Sequence, residues 1–111
     1  MKAFIVSLLV LCGLSTAVYA EGYQADIERG QALATAQCES CHGNAVIAMA
    51  KQFPNLKGQK LAYLNKQLVD FKTSLRLDPL MQSQVSALSS EQLQDVALFY
   101  SLQVTPNLSA N

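Results

Sequence analysis

Residues 38–42 read Cys38-Glu39-Ser40-Cys41-His42, or CESCH. The stretch holds two of the three cysteines and the only histidine of a 111-residue chain. On a helix, positions three apart share a face, so both thiols point the same way and the imidazole sits beside the second. Gathering the thiols and the one imidazole at a single place calls for a common task.

The segment before this cluster sets its compartment. Lys2 gives a positive start, 4–14 is almost wholly apolar, and 15–20 ends in Val18, Tyr19 and Ala20. This pattern predicts a secretory signal peptide over 1–20, cleaved after Ala20. A retained membrane anchor is the competing reading, but the apolar run falls well short of the roughly 20 residues that span a bilayer. Cys12 lies inside that run behind Leu11, where a lipoprotein cleavage site needs a small residue, so it is expected to leave with the leader. The mature domain is then 21–111, with Cys38 and Cys41 as its cysteines. Export to the periplasm would place them in an oxidising compartment, where paired thiols become a disulfide unless other chemistry claims them. No stable membrane insertion is expected after cleavage.

A chain of this length makes one small domain, and small cores often rely on a staple or cofactor. Eight basic and eight acidic side chains balance, so the basic surplus that nucleic acid demands is missing. The balance hides a bias. Lys51, Lys57, Lys60, Lys66, Lys72 and Arg76 share their segment with one acid, Asp70. This is either a solvated lysine face or a salt-sensitive docking patch.

Three stretches carry helical periodicity. The first spans 26–37, with Asp26 as a cap and Ile27, Leu33 and Ala34 as its apolar side. Gly30 sits in its middle at a cost of about 1 kcal/mol, which suggests that another element packs against bare backbone there. The second spans 61–74, where Leu61, Leu64, Leu68 and Phe71 form a stripe. The third, 89–103, opens with Ser89 as N-cap, Gln92 at N3 and a staple between Leu88 and Leu93. No stretch alternates as a strand. The reading is all-α, with long loops at 43–59 and 75–88, the second stiffened by Pro79. Loops of that length exceed those of a tight bundle, and something must fill the space they enclose.

Four chemistries compete for the cluster. A disulfide would leave His42 a coincidence. A thioredoxin-like pair expects a preceding strand, whereas a helix precedes this one. A zinc site needs four ligands, and the mature chain has two thiols and one imidazole. Covalent haem attachment needs C-x-x-C-H itself. Two thiols one turn apart each add to a vinyl group of the porphyrin, and the adjacent imidazole then faces the iron. Haem c, one per chain, is the expected cofactor, held by Cys38 and Cys41 with His42 as an axial ligand.

With these residues the chain resembles class I c-type cytochromes, in particular a small bacterial monohaem group similar to single domains of cytochrome c4. The resemblance covers nearly all of 26–103 and implies a cytochrome c fold, three main helices plus long loops wrapped around one haem. It implies that Gly30, eight residues before Cys38, meets an aromatic of the last helix, Tyr100 or Phe99. "FPNLKGQ" (53–59) matches a family loop in which the carbonyl of the proline, here Pro54, accepts a hydrogen bond from the proximal imidazole Nδ1–H. The stretches 63–72 and 88–102 resemble the family's last two helices.

The sixth iron ligand is expected to be Met81. Met1 leaves with the leader, and Met49 lies too close to His42 to cross the ring. Met81 precedes the last helix, where the family keeps its distal ligand, and His/Met pairing is the usual arrangement. Otherwise Met81 is apolar filler and the iron is open or lysine-bound. Ile47, Leu56, Leu61, Leu64, Leu68, Val85, Leu88 and Leu93 are expected around the haem, and Arg76 and Tyr63 either meet a propionate or lie on the surface. The function implied is a periplasmic shuttle passing single electrons between a donor and an acceptor protein, not an enzyme. A cytochrome subunit of a larger oxidoreductase is the first alternative, and a haem enzyme or gas sensor with an open distal site the second.

Overall fold

The computed structural model describes residues 22–42 and 52–104, and these form helices and no strand. Five helices follow in order: α1 (Ile27–Gln37), α2 (Glu39–His42), α3 (Leu61–Lys72), α4 (Pro79–Val85) and α5 (Ser90–Ser101). The three long ones match the periodic stretches to within two residues at each end. The leader, Cys12, Ile47, Met49 and Lys51 lie outside the described residues.

Local chemistry sets the boundaries. Asp26 stands in extended conformation before α1, and its carboxylate accepts the Arg29 amide at 2.8 Å. Ser89 and Gln92 form a reciprocal capping box at α5, with bonds of 3.1 and 2.9 Å. The stapled pair, Leu88 and Leu93, is buried in one cluster.

The segment 75–88, expected as a loop, contains α4. Pro79 begins this helix rather than prolonging the loop. Asp78 before it is extended, as a residue preceding proline must be, and proline at the first helical position loses only an amide that has no partner there anyway.

α1 and α5 cross at Gly30. A Cβ built there would lie 2.1 Å from the Asp95 carbonyl oxygen and 3.0 Å from the Phe99 Cβ. The aromatic partner of Gly30 is therefore Phe99. Tyr100, the next residue along the helix, points elsewhere and joins Ala34, Leu64, Val96, Ala97 and Phe99 in a buried cluster. Phe71, Val85, Leu88 and Leu93 make a second cluster, and Leu33 and Leu68 touch both. Ile27 and Leu61, expected to face inward, are 41% and 43% exposed.

A buried carboxylate fastens the same crossing. Asp95 is 1% exposed. It accepts from the Tyr23 hydroxyl and the Asp26 amide at 2.7 Å each, and from Arg29 Nε at 3.0 Å. Arg29 also donates to the Tyr23 hydroxyl at 2.7 Å. Burial alone would raise the Asp95 pKa, but the bonds from Arg29, Tyr23 and Asp26 outweigh it and hold the carboxyl below its ordinary value.

Gly30→Ala should cost about 3 kcal/mol, because the colliding atoms are backbone and cannot swing aside; a denaturant midpoint measures it. Asp95 gives an acid-sensitive contribution. Its folded pKa is depressed, so its stabilisation is fully present above the ordinary carboxylate pKa of about 4 and is lost as the pH falls through the lower folded value. Asp95→Asn should lower stability at pH 7 and flatten the acid limb of the stability–pH curve.

Candidate functional site

Cys38 caps α1, its amide donating to the Ala34 carbonyl at 2.8 Å, and α2 follows at once. The amides of Cys41 and His42 both turn back to the Cys38 carbonyl, at 3.1 and 2.9 Å. This single turn leaves both thiols and the imidazole on the border of one cleft of about 430 Å³. The size falls within the roughly 300–1,000 Å³ usual for cofactor sites.

The imidazole is oriented from outside α2. His42 Nδ1 lies 2.8 Å from the Pro54 carbonyl oxygen. A carbonyl can only accept, so Nδ1 carries the proton and Nε2 keeps its lone pair for a metal. Phe53 flanks the ring at 6.1 Å between centroids. The segment carrying Phe53 and Pro54 is tied down further along, where the Gly58 amide donates to the Tyr100 carbonyl at 2.9 Å. Gly58 takes a φ of 72°, a left-handed turn that glycine adopts without strain.

α5 supplies one wall of the cleft through Leu93, Val96, Ala97 and Tyr100. α3 and α4 close another side, and Met81 lines the cleft from α4. Met81 packs on the cluster of Phe71, Val85, Leu88 and Leu93, whereas Cys38 packs on the cluster of Tyr100 and Leu64. Of the apolar residues expected around the cofactor, Leu56, Leu64, Leu68, Val85, Leu88 and Leu93 do line the cleft. Leu61 does not. Phe53, Phe71, Val96, Ala97 and Tyr100 also line it without having been expected there, although Phe71 stood on the stripe predicted for 61–74.

Arg76 and Tyr63 both lie at the cleft. Arg76 stacks over Phe71 at 4.6 Å and donates to Gln67 Oε1 at 2.5 Å. The lysine-rich segment is less free than its sequence suggests. Lys66 pairs with Asp70, and Lys72 donates to the Ser86 carbonyl at 2.9 Å.

The electrostatics speak against a reactive thiolate at Cys38. Burial, with help from Glu39 and Cys41, pushes the Cys38 thiol up to about 11, whereas redox-active cysteines are poised below their ordinary value. The two sulfurs are not bonded to each other. Among the described residues no three His, Cys, Asp or Glu side chains converge as metal ligands, so the zinc reading lacks its donors.

The residues fit a haem. Two thiols, an imidazole with Nε2 available and a thioether border one mostly apolar cleft. The buried Tyr100 hydroxyl, which has no hydrogen-bond partner among the described residues, belongs to a side chain lining the same cleft, as expected where a large cofactor completes the core.

Known proteins agree. The family described as cytochrome c oxidase, cbb3-type, subunit III matches residues 25–99. A cytochrome c4 of Pseudomonas aeruginosa is 37% identical over 99% of this chain and 56% of its own length. A thiosulfate dehydrogenase electron acceptor of Stutzerimonas stutzeri is 35% identical over 82% of this chain and 43% of its own. A cytochrome c-554(548) of Halomonas halodenitrificans is 33% identical over 60% of this chain and 83% of its own. The chain thus spans about half the length of the first two relatives and most of the third. By sequence, fold and donor set it belongs to the c-type cytochromes, as a class I haem c domain resembling one domain of cytochrome c4.

Proposed function

We propose that this chain is a periplasmic carrier of single electrons, exported by the leader over 1–20 and processed after Ala20. Cys38 and Cys41 would form the thioethers, and His42 Nε2 and the Met81 sulfur would hold the haem iron. The observation that carries this reading is that His42 Nδ1 is committed to the Pro54 carbonyl while Met81 borders the same cleft from α4. Bound here, haem c supplies a reversible one-electron couple. The chain's own residues do the rest. Pro54 fixes the ring and raises its basicity. The apolar side chains of α3 and α5 exclude water, which favours the less charged reduced state. Arg76 and Tyr63 line the cleft and would be available to carboxylates of the cofactor. With both axial positions filled no place is left for a substrate, which separates a carrier from a haem enzyme or gas sensor.

Its partners are then a donor and an acceptor protein. The S. stutzeri relative is named as the acceptor of a dehydrogenase, and the matching family is named as an oxidase subunit. A lasting place in such a complex is the second reading. One observation favours it: Leu75 and Leu77, close to the cleft in sequence, are 79% and 78% exposed. Co-elution with a catalytic subunit would distinguish it from a free shuttle.

Protein matured with haem should keep its colour in acid acetone. Its ferric spectrum should show the methionine–iron charge-transfer band, and the ferrous form should bind carbon monoxide poorly at neutral pH. Met81→Ala should remove the band, lower the midpoint potential and admit carbon monoxide. A wild type that loses its pigment to acid acetone, or binds carbon monoxide readily, would defeat the proposal.

A further inference from the structure

α4 has seven residues and carries Met81 at its third position. Isolated helices shorter than about 12–15 residues are marginal in water, so α4 depends on what holds its ends. Both ends are tied. At the start, Asp78 Oδ1 accepts the amide of Met81 itself at 2.9 Å, and Pro79 fixes the first helical φ. At the finish, the carbonyl of the C-cap residue Ser86 accepts from Lys72 Nζ at 2.9 Å. Lys72 is the last residue of α3, so this bond joins the two helices side by side. Between the ends, Gln82 Nε2 donates to Ser74 Oγ at 3.1 Å. Ser74 has a φ of 63°, in the left-handed turn that reverses the chain after α3.

We propose that Asp78 and Lys72 are positioning residues for Met81. Together they set how readily its thioether leaves the iron, and hence how rarely the site opens to an outside ligand. The inference rests on the assignment of Met81 as axial ligand. Its physical ground is that the cap and the ligand share a residue. Release of the Met81 amide from Asp78 unwinds the first turn of α4, and the side chain on that turn loses its fixed direction. Lys72 acts from the other end by keeping α4 against α3 while the first turn strains.

Imidazole is a good ligand for iron and competes with the thioether. It is titrated into the ferric, haem-loaded full chain, and loss of the charge-transfer band reports Met81 displacement. Asp78→Ala removes a cap of ordinary size and should tighten apparent imidazole binding about five-fold. Asp78→Ser, which can still cap, should restore the affinity. Lys72→Met keeps the aliphatic stem and should shift binding in the same direction as Asp78→Ala, with Lys72→Arg restoring it. Ser89→Ala, which breaks the capping box of α5, is the control. It should lower the melting temperature of the whole fold and leave imidazole affinity unchanged. Wild-type affinity in both Asp78→Ala and Lys72→Met, or equal tightening by Ser89→Ala, overturns the proposal. Absence of the band from the wild type before imidazole is added overturns the Met81 assignment itself, and the proposal with it.

Discussion

The turn after α1 and the α5 wall of the cleft are positioned by the close approach of two backbones, Gly30 in α1 against the Asp95 carbonyl in α5. Any side chain at Gly30 would push the helices apart. α1 ends at Gln37 and passes straight into the turn bearing Cys38, Cys41 and His42, so a shift at the crossing becomes a shift of all three donors. α5 meanwhile presents Leu93, Val96, Ala97 and Tyr100 to the cleft. One crossing thus sets the distance between the residues that hold the cofactor and the apolar wall beside it. Asp95 fixes the same contact chemically. Its carboxylate collects the segment before α1 through Tyr23 and Asp26, and α1 itself through Arg29. The exposed end of Arg29 matters less than the geometry, since surface ion pairs contribute little while a buried carboxylate without its donors would be costly.

The remaining parts of the site come from segments that no single element controls. Pro54 reaches His42 from a stretch anchored to the end of α5 through Gly58. Met81 comes from α4, whose ends are tied to Asp78 and to α3. The two flanks of the cleft therefore rest on different clusters, that of Tyr100 beside Cys38 and that of Phe71 beside Met81, bridged by Leu33 and Leu68. The flank with Cys38 and His42 is continuous with a long helix, whereas the Met81 flank depends on a helix of two turns.

How much of this was legible in the sequence follows the range of each interaction. The cluster at 38–42 is local, and its spacing alone carries the haem reading. The caps at Asp26 and Ser89 are local too, and both helices begin where those residues place them. Gly30 announced a close approach but not its partner, because the choice between Phe99 and Tyr100 depends on the rotation of α5. Pro79 was misleading, since the same residue ends one helix and begins another, and only the extended Asp78 before it decides. Asp95 was invisible. Its partners lie 66 to 72 residues away, and no local pattern distinguishes a buried acid from a solvated one. Met81 was placed by the scarcity of methionines together with the family resemblance, and the tie from Lys72 that holds its helix had no signature at all.

The chemistry the cleft permits is narrow for a physical reason. Enzymatic haem sites need a spare group to move protons or steady a bound ligand. Here His42 is the sole histidine, its Nδ1 proton already engaged, and both thiols are the proposed attachment points. Among the described residues, the remaining ionisable groups that line the cleft are Asp78, Arg76, Tyr63 and Tyr100. Asp78 is occupied with an amide and Arg76 with Gln67 and the face of Phe71. Burial, with the nearby Cys38 and Glu39, raises the Tyr100 phenol further above its already basic range. That leaves Tyr63, half exposed at the mouth. A site whose polar groups are mostly engaged is suited to a change of charge without a change of ligands, which is what an electron carrier requires.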